Sequence, residues 1–250
     1  MRPIVTLITD FGTVDGYVGE MKGVLLSAQP DVEIVDITHD IPPQDVERAR
    51  LTLARVWRRF PRGTIHVVVV DPGVGSSRDA IAVSSEDYYL VGPDNGVLSA
   101  SLLTPSARVV SLALPERASS TFHGRDVFAP AAAALARGEL LETLGGEATN
   151  PIVRRTPEPT RRPDGAIEGE VIFVDRFGNA VTNLVGVRGG TVEVGRFSID
   201  VRRTYAEVDA GKPLALVGST GLLEIAVRDG DAASTLGLAR GSIVALRTAL

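Results

Sequence analysis

The feature that most limits what this chain can become is a single change of texture between Asn150 and Gly165. There Pro151, Pro157, Pro159 and Pro163 interleave with Arg154, Arg155, Arg161 and Arg162. Proline lacks an N–H and fixes φ, so such a stretch cannot hold a regular helix and reads as a linker. Before it, strand-like and helix-like segments alternate. After it, the apolar runs are short, alternating and separated by turns. The expected organisation is an α/β domain over residues 1–150, a Pro/Arg-rich linker over 151–164, and a β-barrel domain over 165–250.

The α/β reading rests on two periods. Pro3 to Thr9 and Val32 to Ile37 are apolar and β-branched, and Thr64 to Val70 is the continuous apolar run of a strand buried on both faces. Between them, Tyr17, Met21, Val24, Leu25 and Ala28, then Val46, Ala49, Leu53, Val56, Trp57 and Phe60, keep helical spacing. Pro42 and Pro43 open the second helical segment, where a missing N–H does no harm. Ala80 to Val83 and Tyr88 to Val91 continue as strands. Asp126 to Arg137 reads as an alanine-rich helix, with Gly138 positioned to end it. This βαβ order predicts a mostly parallel, helix-covered sheet. Beyond the linker, seven short segments from Gly169 to Leu246 predict a small all-β domain, a barrel.

Composition excludes several chemistries. There is no cysteine, so disulfides, thiolate metal sites and a cysteine nucleophile are absent. His39, His66 and His123 stand far apart with none of the spacings that build a zinc site; no metal is expected. The net charge of −5 argues against nucleic acid as a partner. No apolar run approaches the ~20 residues that span a bilayer, and the N-terminus runs into a strand with no secretory pattern. The expected location is the cytoplasm, with no membrane partner.

Five loops carry polar side chains where α/β and barrel folds expose them. Thr9-Asp10-Phe11-Gly12 follows the first strand, at the carboxyl end of a sheet; Asp10 can accept from ribose hydroxyls, or simply make a turn. Asp71-Pro72-Gly73-Val74-Gly75-Ser76-Ser77-Arg78 comes close to a dinucleotide fingerprint. Arg78 stands where the last glycine belongs, and a strand follows where a helix is required. What remains is a carboxylate and a guanidinium across a glycine-rich turn. His123, in Phe122-His123-Gly124-Arg125-Asp126, precedes a helix and is either a cleft residue or a structural histidine. In Asp175-Arg176-Phe177-Gly178-Asn179, an aromatic beside an amide can read a purine, and a plain Gly-Asn turn explains it equally well. Ser219 and Glu224 flank a turn that can hold an amino acid or be only a turn.

Taken in order, these loops and their neighbours resemble one family over essentially the whole chain. The run comprises TDFG, DITHDIPP (Asp36 to Pro43), VVDPGVG with its following arginine, GPDNG (Gly92 to Gly96), FHGRDVFAP (Phe122 to Pro130), DRFGNAVTN (Asp175 to Asn183) and STGLLEIAV (Ser219 to Val227). It is similar to the S-adenosyl-methionine (SAM) hydroxide adenosyltransferases, the adenosine-forming SAM hydrolases, which share a fold with the SAM-dependent fluorinase and chlorinase. The resemblance implies an N-terminal α/β sandwich and a C-terminal β-barrel. It implies a homotrimer, with active sites between the N-terminal domain of one subunit and the C-terminal domain of its neighbour. It puts the catalytic set on Asp71, Arg78 and His123, ribose binding on Asp10 beside Phe11, and adenine and methionine contacts on Asp175, Phe177, Asn179, Ser219 and Glu224. SAM is then the substrate, adenosine and methionine are the products, and no cofactor is called for.

The halogenating relatives do not keep the Asp-Arg-His set, and the fluorinase has an extra loop after the arginine. Here the set is complete and the gap from Arg78 to GPDNG is short, which favours water over halide. Arg228 departs from the asparagine often found in relatives. The competing readings are a chlorinase, a SAM or adenosine sensor without turnover, and an unrelated α/β hydrolase; the last lacks a GxSxG elbow.

Overall fold

The computed structural model describes residues 2–186 and 189–248. They form two compact units, 1–154 and 155–250. In the first, β1 (Ile4–Thr9), α1 (Tyr17–Ala28), β2 (Glu33–Thr38), α2 (Val46–Val56) and β3 (Ile65–Val69) succeed one another. The hairpin β4 (Ala80–Ser85) and β5 (Tyr88–Pro93) follows, then α3 (Ser99–Leu102), β6 (Arg108–Leu112), α4 (Ala129–Ala136) and β7 (Gly145–Glu147).

The seven strands lie in the order β2-β1-β3-β5-β4-β6-β7. The block from β2 to β5 is parallel, and each step from β5 to β7 is antiparallel. Five strands therefore point one way, and only β4 and β7 run against them. Alternation along the central strands divides the core. Val5, Leu7, Val67 and Val69 pack with Met21 and Leu25 of α1 and the alanines of α4. Ile8 and Val68 face the other way, toward Ala49 and Leu53 of α2 and the fully buried Trp57. Helices on both faces explain why β1 and β3 carry apolar residues on both sides of the alternation.

Helix α2 starts where Asp45 caps it, its side chain accepting from the Arg48 N–H at 3.0 Å. Before α4, residues Gly124–Phe128 form a π-helical turn, with Ala129 N–H reaching the Gly124 carbonyl. Pro130 has no N–H to continue an α ladder back to Asp126, so this turn takes wider bonding. The helix expected over Asp126 to Arg137 is thus α-helical only from Ala129. It ends at Gly138, whose φ of +87° is open to glycine.

In the second unit, β8 (Thr160–Arg161) pairs along β9 (Ile167–Val174). After β9 come β10 (Ala180–Val185), β11 (Thr191–Val194), β12 (Phe197–Arg202), β13 (Pro213–Val217), β14 (Leu222–Val227), the short helix α5 (Ala232–Leu236) and β15 (Ile243–Arg247). Pairing runs β10-β14-β13-β12-β11-β15-β9, and a β9–β10 ladder joins the ends into a closed seven-strand barrel. Closure removes the open edges a small sheet would otherwise present. Val171, Leu184, Val192, Ile199, Ala215, Leu223, Ile225 and Val244 fill the interior.

Candidate active site

Strands β1 and β3 are parallel neighbours with Thr9 beside Val69. Asp10 and Asp71 follow these two strand ends, so the topology delivers both carboxylates to the carboxyl edge of the sheet, where α/β folds bind ligands. A cavity of about 400 Å³ opens there, and its lining includes Asp10, Phe11, Gln44, Asp71, Phe122 and His123. Of the residues expected to act together, the first unit thus gathers five: Asp10 and Phe11 in one loop, with Asp71, Arg78 and His123 against one another.

The glycine-rich turn after β3 folds Arg78 back onto Asp71. Arg78 Nε donates to Asp71 Oδ1 at 3.0 Å, and Nη2 donates to Oδ2. This is the bidentate fork that makes arginine–carboxylate pairs geometrically specific. Both side chains are more than nine-tenths buried. Nη2 also donates to His123 Nδ1 at 2.8 Å. The turn and the His123 loop touch at a point that only glycine permits: Gly75 has φ +75°, and a Cβ there would run into the Ser120 carbonyl oxygen. Arg78 Nη1 is buried and has no hydrogen-bond partner among the described residues, leaving two of the guanidinium's five N–H donors unspent.

A guanidinium only donates, so His123 Nδ1 must carry a lone pair, and the proton of the neutral ring sits on Nε2. Burial, and then the positive charge of Arg78, push the His123 pKa below its ordinary value. Near neutral pH the ring is uncharged and offers an N–H from Nε2.

Asp10 is held differently. Its Oδ2 accepts the backbone N–H of Gln44 at 2.7 Å. Further bonds bind the loop after β1 to the segment before α2: Thr9 Oγ1 meets His39 Nδ1 at 2.8 Å, and Gly12 N–H donates to the His39 carbonyl at 2.9 Å. Phe11, Tyr17 and Phe122 form an aromatic cluster with ring centroids 5.3–5.8 Å apart, giving the cavity an apolar wall.

The other expected residues belong to the barrel unit. Asp175 closes the β9–β10 turn: Oδ1 accepts the N–H groups of Phe177 and Asn179, both at 2.9 Å, and Oδ2 accepts from Asn179 Nδ2 at 3.0 Å. Phe177 at the tip is 76% exposed, a large ring left without cover by its own unit. Glu224 lies on β14 opposite Val181 and Leu216. Ser219 sits in the exposed turn between β13 and β14, which Gly221 N–H closes onto the Gly218 carbonyl at 3.0 Å.

Tyr205, which sequence reasoning missed, joins the Asp175–Asn179 turn. Its hydroxyl is 3.5 Å from Asn179 Nδ2. Burial, then the charges of Glu224 and Asp175, push its phenol pKa up. It stands in a short 3₁₀ turn with no periodic pattern to announce it. Arg228, by contrast, spends one N–H on the Val208 carbonyl at 2.8 Å, anchoring the segment that follows Tyr205. Among the described residues no group of three or more His, Asp or Glu side chains is arranged to hold a metal ion, and no helix is long and apolar enough to cross a membrane.

A two-faced α/β unit with an Asp–Arg–His cluster at its strand ends, followed by a closed barrel carrying an Asp–Asn–Tyr–Glu group, defines a class of small-molecule enzymes built from these two modules. The chain belongs to the SAM hydroxide adenosyltransferase family, whose N-terminal domain matches residues 5–145 and whose C-terminal domain matches residues 169–245. It is 46% identical to the (R)-S-adenosyl-L-methionine hydrolase of Thermus thermophilus, over 98% of this chain and 100% of that one. It is 30% identical to a fluorinase of Actinopolyspora mzabensis, over 90% of each chain. A crystal structure of an uncharacterized conserved protein from Thermotoga maritima superposes with a TM-score of 0.88 at 36% identity, covering 97% of this chain and 99% of that one.

Proposed function

We propose that this chain hydrolyses S-adenosyl-L-methionine at C5′, giving adenosine and L-methionine, with the R epimer at sulfur as substrate, as in the name of the Thermus relative. The observation that carries the reading is the contact of Asp71, Arg78 and His123 beside a cavity that also holds Asp10, in a chain of this family. Methionine is already a good leaving group from a sulfonium. The task left to the protein is to place a water in line with the C5′–S bond and accept its proton.

The hydrogen bonding divides that task. His123 Nδ1 is committed to Arg78, so the imidazole orients the water by donating from Nε2. Asp71, whose oxygens keep lone pairs beyond those used by Arg78, takes the proton. The water oxygen bonds to C5′, the C5′–S electron pair stays on sulfur, and the proton leaves through Asp71 to solvent. Positioning of this kind can contribute up to ~7–11 kcal/mol. Charge is neutralised as hydroxide character meets the sulfonium, so a cavity with an apolar wall favours the reaction. Carboxylates beside the sulfur would stabilise the ground state instead; Asp10 is accordingly assigned to ribose and Glu224 to the methionine ammonium. Asp175, Phe177 and Asn179 are assigned to adenine, and Ser219 to the methionine end.

SAM is the substrate, and the reaction as written uses no cofactor. We extend the reading to a cytoplasmic homotrimer with active sites at subunit interfaces, supported by the exposed Phe177 ring and by the division of the assigned residues between two units. Purified protein incubated with each SAM epimer, with and without chloride, tests the activity by chromatography. Adenosine and methionine are expected from the R epimer, with chloride and without it. 5′-Chloro-5′-deoxyadenosine would identify a halogenase, and binding without product would identify a sensor.

A further inference from the structure

We propose that Gln44 is a specificity-determining residue whose carboxamide contacts the ribose edge of the bound nucleoside; this rests on the SAM-hydrolase reading of the same cavity. Gln44 has φ +67°, in the left-handed region that L side chains rarely occupy. Its backbone has two local duties. Its N–H donates to Asp10 Oδ2 at 2.7 Å, and its carbonyl accepts from Val46 N–H at 2.9 Å. Glycine would perform both without steric strain, so the fold itself gives no reason for a side chain there.

The side chain is exposed and lines the cavity with Asp10, Asp71 and His123. Backbone strain at such a position is held where the surroundings over-determine it, and it points to function when a ligand site adjoins it. The bond to Asp10 brings the two residues to one spot and leaves Asp10 Oδ1 to accept from one ribose hydroxyl. A carboxamide carries both a donor and an acceptor, which suits the neighbouring hydroxyl of the same diol.

The test is Gln44→Gly, with Gln44→Asn as its companion. Glycine relieves the strain and keeps both backbone bonds, so the thermal midpoint should hold or rise. KM for SAM should increase about tenfold, and the calorimetric Kd for adenosine should weaken to a similar extent. Asparagine, which tolerates the left-handed region and keeps a carboxamide, should recover part of the loss. An adenosine Kd for Gln44→Gly within twofold of wild type overturns the assignment. Calorimetry decides the contact whether or not SAM is turned over, while the product assay on wild-type protein separately decides the hydrolase reading.

Discussion

Strand β3, which delivers Asp71 to the cavity, carries a buried imidazole two residues into the strand, and acid should find it. His66 is fully buried, its Nδ1 is 2.7 Å from Thr6 Oγ1, and Phe60 and Tyr88 pack on its ring. Burial pushes its pKa from 6.5 down to about 4. The unfolded chain therefore takes up a proton on this residue near pH 6.5, whereas the folded chain resists until about pH 4. Stability from His66 is complete above pH 6.5 and is lost as the pH falls through that window. At ~1.36 kcal/mol per pKa unit the loss reaches ~3 kcal/mol below pH 4, and most of it is already gone at pH 4.5. The perturbation is His66→Asn, which offers Thr6 an amide in place of the ring. The assay is urea denaturation of both proteins at pH 7.5 and pH 4.5, with the histidine ring protons of the wild type followed by NMR titration. The variant has its own fixed cost, which cancels in the comparison. Its drop in stability between the two pH values should be smaller than that of the wild type by about 2–3 kcal/mol, and the His66 resonance should titrate near pH 4. Parallel pH profiles for the two proteins, or a His66 titration near 6.5, would refute the argument.

Three other substitutions test the site. Asp71→Asn removes the proposed proton acceptor and should lower kcat by about 10²–10⁴-fold; because it also strips a buried guanidinium of its counter-charge, circular dichroism must accompany the single-turnover assay. Gly75→Ala puts a Cβ into the Ser120 carbonyl at a φ that favours glycine. It should push the Arg78 turn away from the His123 loop, costing at least about tenfold in kcat while leaving adenosine binding largely intact, as calorimetry would report. Gly218→Ala places a Cβ against the Glu224 carboxylate at an ordinary φ. Because that side-chain end can swing away, the thermal midpoint should change little, whereas KM for SAM should rise about tenfold or more; an unchanged KM would remove Glu224 from the methionine site.

Much of the fold was legible because local periodicity is a local property of the chain. A β-branched apolar run marked β1 and a continuous one from Thr64 to Val70 marked β3, the helical stripes marked α1 and α2, and the loss of helical stripes after Gly165 marked the barrel. The strand β6 was not legible: in Arg108–Leu112 only Val110 and Leu112 are buried, and it pairs with β4 and β7, so its identity depends on neighbours rather than on its own pattern. The π turn after His123 was likewise hidden within an alanine-rich helical run.

The site divides in the same way. Residue order already showed which types stand at the ends of strands: a carboxylate after β1, another after β3, an arginine across a glycine turn, and a histidine before a helix. Their order along the chain was enough to point to a family. Tertiary structure alone decided that Arg78 Nη2 reaches a histidine 45 residues away, and thereby which nitrogen of His123 keeps its proton. It alone brought Tyr205 to the Asp175–Asn179 turn and tied Asp10 to Gln44, making a strained glutamine part of the cavity. The physical reason is that residue type and spacing fix the chemistry a loop can offer. Direction, register and convergence come from pairing between distant segments, whose registers no local pattern encodes.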